Sequence, residues 1–300
     1  MKYIFLSALF LFAVLKNGHS QIMVSSNEAK LTFANGRPEV KSPIDTAKLL
    51  ITYTYSHIVD TVKKQTFQDR FMLEIGNRHS RFYSLFAEKS DSNMYVFSNS
   101  PSGRRVDAAT NPRKFLKENE RDNYDSYWFD YPNQGELFVH NLIVNQPYSY
   151  TEPIPVFDWE FFPDTMNILG YVCQLARTSF RGRNYEAWFT LEIPISKGPW
   201  KFSGLPGLIL KVQTDCRDFS FETIGIQVPQ SVHPIYRYRY LYREITREEM
   251  FRLYRMSYQD PAGLVMAHGW VYAGRDANGR FRQFESGERV FPYVPFLELE

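Results

Sequence analysis

The sequence predicts a mainly β (α+β) fold: a curved antiparallel sheet or half-barrel with a helix packed on it. Three observations carry this expectation. Apolar and polar residues alternate with period two along much of the chain, turn residues recur at hairpin spacing, and a single segment carries a full set of helix-start signals. Aromatic residues make up 17% of the 300 residues, enough to fill a sizeable core or line an apolar cavity.

The elements follow in order. Lys2, an apolar run from Ile4 to Leu15, and small residues at Gly18 and Ser20 form the pattern of a secretory signal. The run is shorter than the roughly 20 residues of a spanning helix. Residues 1–20 are therefore expected to be cut away near Ser20-Gln21. The product is expected to be a soluble protein of the periplasm or the cell exterior, with no transmembrane segment. Residues 21–44 are polar and read as a flexible arm; residues 45–300 read as a single β-rich domain. From Ala47 onward Ile51, Tyr53 and Tyr55 alternate with Thr52, Thr54 and Ser56, the signature of a half-buried strand. Asp69–Ile75, Arg81–Phe86 and Asn93–Ser98 continue as a meander, with a turn at Gly76-Asn77. Residues 99–126 are charged and lack apolar periodicity, so they read as a surface insertion with a short helix over Pro112–Asn119. Its Arg104 and Arg105 are answered by Glu118, Glu120 and Asp122. Strand character returns at Glu136–Val144.

Ile168–Thr178 and Asn184–Ile193 form a predicted hairpin turning at Gly182. Leu208–Gln213 and Phe219–Ile226 form a second, around Asp215-Cys216-Arg217. Over Ile235–Arg243, Tyr236, Tyr238, Tyr240 and Tyr242 alternate with Arg237, Arg239 and Arg243, which predicts one buried aromatic face and one wet basic face. Thr246 and Glu249 have capping-box spacing, and Met250, Leu253 and Tyr254 share the helix face expected to dock on the sheet. Asn278-Gly279 marks a last hairpin turn.

Composition excludes some functions. Loss of Lys2 and Lys16 from the 35 Lys and Arg leaves as many basic as acidic residues, of which there are 33. That balance argues against nucleic-acid binding, which needs a basic excess. His57, His79, His140, His233 and His268 are scattered, so no metal and no cofactor is expected. Cys173 and Cys216 are a candidate disulfide in an oxidising compartment, and two separate thiols fit equally well. Asp158 and Glu160 flank Trp159 without further support for a glycosidase pair. Gly204 and Gly207 do not make a phosphate loop, because Pro206 lacks an N–H. Leu205-Pro206-Gly207-Leu208 instead suits a type II turn, with Gly207 at positive φ. The connection before it carries Trp200 and Phe202, rings large enough to anchor it on the body. Arg183 is expected to pair with Glu186 or Glu192 across its hairpin, or to meet a ligand carboxylate or phosphate.

Gly170–Cys173, Phe180–Arg183, Ala187–Thr190, Ile193-Pro194 and the run Gly198–Leu210 closely resemble the signature of the GLPGLI family. These are exported proteins of Bacteroidota named after the hexapeptide Gly204–Ile209. Weaker agreement spans roughly residues 47–300. The resemblance implies export and a shared fold, and it implies no reaction. The predicted architecture is also similar to the half-barrel lipoprotein carriers. The first expectation is thus a non-enzymatic envelope protein that binds a lipid or acyl chain on its curved sheet, with Pro194–Gly207 as rim or lid. The alternative is an accessory interaction module of an outer-membrane transport or assembly system, with an envelope protein as partner. A hydrolase with an unrecognised site ranks third. The candidate binding residues are Arg181, Arg183, Trp188, Trp200, Lys201 and Phe202. Gly204, Leu205, Pro206, Gly207, Leu208 and Ile209 form the structural motif that turns the chain into the sheet.

Overall fold

The computed structural model describes residues 21–25, 40–60, 65–89, 125–143, 146–239, 242–267, 270–275, 280–287 and 297–298. Strands β1 (Gln21–Ser25) and β2 (Val40–Thr46) come first. A meander follows through β3 (Leu49–Asp60), β4 (Gln65–Ile75), β5 (Ser80–Ser84), β6 (Ser126–Phe129), β7 (Glu136–Ile143) and β8 (Gln146–Pro153). A second meander runs through β9 (Glu160–Ile168), β10 (Tyr171–Phe180), β11 (Arg183–Thr190), β12 (Leu208–Thr214) and β13 (Phe219–Gln227). Next are β14 (Pro234–Arg239), β15 (Arg243–Glu244), helices α1 (Arg247–Gln259) and α2 (Pro261–Ala267), and strands β16 (Trp270–Arg275) and β17 (Phe281–Gln283).

The two meanders join where β3 pairs with β13, giving one 12-stranded sheet in the order β15-β8-β7-β6-β5-β4-β3-β13-β12-β11-β10-β9. Its pairings are antiparallel except β15 on β8. The mainly β fold with few helices agrees with the sequence. Register breaks at Ile58/Asp60, Gln174/Ala176, Trp188/Phe189 and Thr223/Gly225 add the local bend that bulges produce. The sheet curls far enough that Arg181, at the β10–β11 turn, lies 2.6 Å from Glu152 on β8, although those strands stand near opposite ends of the order.

Alternation explains the inner face. Ile51, Tyr53 and Tyr55 are buried, while Thr52, Thr54 and Ser56 are half-buried on the other side. Rings from both meanders meet here: Tyr55 stacks on Phe221 at 4.7 Å, and Phe82 lies 5.9 Å from the same ring. Helix α1 begins at the expected capping box of Thr246 and Glu249 and lays Met250, Leu253 and Tyr254 on this core. On the outer face, β2 and β14 form a two-stranded sheet, and Tyr238 of β14 packs near Arg81 of β5. Ser80–Ser84 is therefore buried on both faces.

Several expectations need correction. Within 21–44, Gln21–Ser25 pairs with β16 and Val40 opens the β2–β14 pair, so these pieces are strands rather than arm. The strand expected over Arg81–Phe86 ends at Ser84, whose hydroxyl accepts the N–H groups of Phe86 and Ala87 and opens a helical turn over 85–89. Ser126, placed in the insertion, begins β6; β8, β9 and α2 were also not anticipated. In β14 the register shifts at Ile235/Tyr236, and from there the Tyr/Arg run pairs regularly with β2, with Tyr238 buried, Arg239 exposed, and Tyr236 and Arg237 half-buried. Arg237 is not wet: its guanidinium lies 4.8 Å from the Phe138 ring centre and 5.1 Å from that of Tyr131. Tyr240, the strand Asn93–Ser98, the helix Pro112–Asn119, the turn Asn278-Gly279 and residues 1–20 lie outside the described residues. No helix among the described residues is long and apolar enough to cross a membrane.

Candidate functional site

Strands β11 and β12 are neighbours, yet the connection between them runs from Leu191 to Gly207. An ordinary hairpin loop needs about 2–5 residues. Here Leu208 N–H donates to Ile193 O at 2.9 Å and Ile209 N–H to Lys197 O at 3.0 Å, so the segment folds back against the start of β12. At its turn Trp200 takes φ 54°, a left-handed value that bulky side chains rarely adopt. That conformation sends Trp200, Lys201 and Phe202 inward, with exposures of 3%, 1% and 0%. Phe202 meets Tyr185 at 4.9 Å and Phe157 at 5.2 Å, and Trp159 Nε1 donates to Ser203 O at 2.9 Å.

The hexapeptide plays a different geometric part from the one its turn residues suggest. Positive φ belongs to Gly204 (91°), not to Gly207. Gly207 is required for close approach, since an added Cβ would stand 1.9 Å from Thr190 O. Its backbone packs directly on the end of β11, and β12 starts there.

Lys201 carries a charge into this aromatic interior and finds a full set of acceptors. Its Nζ lies 2.6 Å from Glu152 Oε1, 2.6 Å from Glu298 Oε1 and 3.0 Å from Tyr150 Oη. Tyr150 and Glu152 are two residues apart on β8, hence on one face. Arg181 sits in the two-residue β10–β11 turn with φ 45°, followed by Gly182 at 79°. Its guanidinium spans both acids, with Nη2 at 2.6 Å from Glu152 Oε2 and Nη1 at 2.7 Å from Glu298 Oε2. Arg247, the first residue of α1, reaches Glu298 Oε2 at 2.9 Å and Glu248 Oε1 at 3.3 Å.

A second polar group adjoins the first. Asp125 accepts from the Tyr254 hydroxyl and the Asn141 amide. Burial pushes the Asp125 carboxyl up, against the opposing pull of Tyr254, Asn141 and Lys201. Burial also pushes Glu152 up, but Lys201 and Arg181 outweigh it and hold that carboxyl below its ordinary value. For Lys201, burial favours the neutral amine, yet Tyr150, Glu298 and Glu152 prevail and the ammonium titrates above the ordinary lysine range. A lysine held protonated this firmly cannot serve as a general base near neutrality. The cluster sets the cations Lys201, Arg181 and Arg247 around the carboxylates of Glu152 and Glu298.

Of the sequence-predicted binding residues, Arg181, Trp200, Lys201 and Phe202 come together here. Arg183 and Trp188 do not. Arg183 faces Asp218 at 3.7 Å and the Phe219 ring at 5.1 Å. The partners expected for it are engaged elsewhere: Glu186 pairs with Arg177 at 2.8 Å, and Glu192 accepts the Val172 N–H at 3.0 Å. Trp188 is half-buried on β11 opposite Leu175 and Lys211. Lys201 is buried, so it offers no exposed surface to a partner protein. Sequence reasoning missed Tyr150, Glu152, Arg247 and Glu298, which meet only through the fold.

Both cysteines are free, Cys173 buried and Cys216 exposed. Gln174 pairs with Phe189 at one end of β11, whereas Thr214 pairs with Tyr185 near the other. At about 3.3 Å per residue the two thiols are separated by more than about 15 Å along the strands. A disulfide needs Cα atoms within about 7 Å.

On the outer face, Arg81 pairs with Glu88 at 2.8 Å and stacks 3.9 Å from the Tyr83 ring. Burial, with Arg81 and Arg237, pushes the nearby His140 imidazole down to about 3.

Residues 179–211 match a family described as "Protein of unknown function (Porph_ging)". The matched segment supplies Arg181, Trp200, Lys201 and Phe202. No curated protein matches the sequence. Among solved structures, the chain is similar to PNGF-II in C2 and in P21 space groups, each at 14% identity and TM-score 0.43. Those matches cover 71% of this chain and 33% and 34% of theirs, so it spans about a third of their length. It is also similar to the LolA superfamily protein NE2245 from Nitrosomonas europaea, at 9% identity and TM-score 0.24, over 69% of this chain and 95% of that one. At these scores the likenesses carry no functional argument.

Proposed function

We propose that the protein is an exported, non-enzymatic envelope protein of one β-rich domain that binds a lipid or acyl chain against the aromatic inner face of its curled sheet. Pro194–Gly207 acts as the lid. One observation carries this reading: the connection between two adjacent strands seats Trp200, Phe202 and Leu205 on that face, each 3% exposed or less. A turn alone would not need so long a segment or such large rings. The Lys201 ammonium, engaged by Glu152, Glu298 and Tyr150, has no free lone pair to act as a base. Native mass spectrometry of protein purified from its own envelope should recover a co-purifying lipid, and dodecanol titration should change tryptophan emission. Protein that carries no lipid and gives no emission change up to the solubility limit of dodecanol overturns the reading.

A second reading, an envelope interaction module, draws on a different feature. Leu169, Val172 and Leu191 are 51%, 60% and 61% exposed near one end of the sheet, beside edge strand β9. Pull-down from envelope extracts should then recover a specific partner that Val172→Glu loses; recovery unchanged by that substitution would count against it.

A further inference from the structure

Three cations from three separate elements converge on one carboxylate. Glu298 takes Lys201 on Oε1 and both Arg181 and Arg247 on Oε2, and its side chain is 1% exposed. Take that acid away and the balance fails. Lys201 and Arg181 would then share Glu152, with Asp125 the adjoining carboxyl, itself pushed toward its neutral form by burial, and the acid left beside Arg247 would be Glu248, whose side chain is 73% exposed. A buried excess of positive charge demands an anion. The backbone around the site is also held in rare conformations, with Arg181 and Trp200 both in the left-handed region. Such strain persists only where the surroundings enforce it, and it concentrates at ligand sites.

We propose that Lys201, Arg181 and Arg247 form a carboxylate-binding site, filled here by the chain's own Glu298 and taken by the head group of an anionic amphiphile when Glu298 withdraws. The template for the ligand is the bound side chain: one oxygen toward an ammonium, the other toward two guanidinium groups. A planar carboxylate fits that fork geometry. Aromatic rings border the site, with Lys201 Nζ 5.4 Å from the Trp200 ring and 5.5 Å from that of Tyr150. A chain attached to the head group would therefore leave along the aromatic face. The ligand class is a carboxylate on an alkyl tail. The tail rests on the proposed function above; the head group does not. Glu298 and the ligand head compete, so binding strength is set by the difference between the two.

Calorimetric titration with dodecanoate, dodecanol and acetate, each below any micelle-forming concentration, tests the site in the wild type and in Glu298→Gln. Dodecanoate should bind Glu298→Gln about tenfold or more tighter than wild type, with dodecanol affinity unchanged. Adding Arg247→Gln should remove most of that gain. Equal dodecanoate affinity in wild type and Glu298→Gln overturns the site, and dodecanol binding in that case leaves the apolar-ligand reading standing. Acetate bound by Glu298→Gln, with no preference for the alkyl probes, keeps the anion site and removes the apolar tail. If Glu298→Gln is too unstable to titrate, its melting temperature is the readout. A rise with dodecanoate and not with dodecanol supports the site, and equal responses refute it.

Discussion

Replacing Lys201 with Met keeps the unbranched apolar stem and removes the ammonium. Three acceptors then lose a donor at once, at 2.6, 2.6 and 3.0 Å. Removing one partner from a buried ion pair costs about 3–5 kcal/mol. Arg181 remains on both carboxylates, which places the loss at the lower end, about 3 kcal/mol. In a domain of this size each kcal/mol moves the melting temperature by roughly 2–4 °C, so a fall of about 6–12 °C is expected at pH 7 by calorimetry. Adding Glu152→Gln should recover part of the loss, because it removes one of the carboxylates left undercompensated. The pH dependence has a definite sign. Glu152 is lowered, so its share is present above the ordinary carboxylate value of about 4.3 and is lost as pH falls through the lowered one. Lys201 is raised, so its share is present below about 10.4 and is lost as pH rises through the raised value. The gap between wild type and Lys201→Met should thus be flat from about pH 5 to pH 10 and narrow outside it. A gap under about 2 °C at pH 7 would refute the buried pairing of Lys201.

Gly207→Ala should destabilise by about 1–3 kcal/mol or more, since its Cβ meets the Thr190 carbonyl and neither backbone can yield cheaply. Gly204→Ala, with its nearest neighbour at 3.5 Å, should cost about 1 kcal/mol for the left-handed backbone alone; chemical denaturation that reverses this ranking would overturn the assignment of the two glycines. His140, pushed down to about 3, should remain neutral by nitrogen NMR at pH 5. The stability it contributes is present above about 6.5 and is lost as pH falls toward that lower value; a charged imidazole in folded protein at pH 5 contradicts its burial. Burial pushes the Cys173 thiol up to about 11, so a thiol reagent should modify Cys216 in the folded protein and Cys173 only after unfolding; an intact chain two mass units lighter before reduction would reveal a disulfide instead.

What could be read in the sequence is what local physics controls. Strand β3 announces itself because one face is buried and the other is not, and the capping box of α1 is satisfied within four residues. The hairpins β10–β11 and β12–β13 follow from alternation bounded by turn residues. Strand β6 is invisible for the opposite reason: all four residues of SYWF are buried, so no alternation exists. Strand β8 has Pro147 and Pro153 within it, and β9 is an edge strand whose residues are mostly exposed. Gly207 shows the limit most clearly. Turn chemistry assigns it a positive φ, whereas the true demand comes from Thr190, which contacts it through the fold. Lys201 looks like a solvated residue in a loop rich in Gly and Pro, and its burial depends on acids from β8 and from residue 298. No local pattern encodes that meeting.

The charge cluster also bears on why the hexapeptide region is built as it is. A buried ion pair is weak evidence for stability, because well-packed apolar residues of the same volume do as well or better. Lys201, Arg181, Glu152 and Glu298 are therefore not explained by the free energy of folding alone. What they do supply is position. Arg181 and Lys201 belong to the second meander and Glu152 to the first, so their contacts join the two sides of the curled sheet where no strand pairing does. Gly207 lets the chain pass against Thr190 and sets where β12 begins. That start places Trp200 in its left-handed turn and aims Lys201 inward. The motif delivers one cation, Lys201, to a place beside the aromatic wall where the carboxylates of Glu152 and Glu298 balance it.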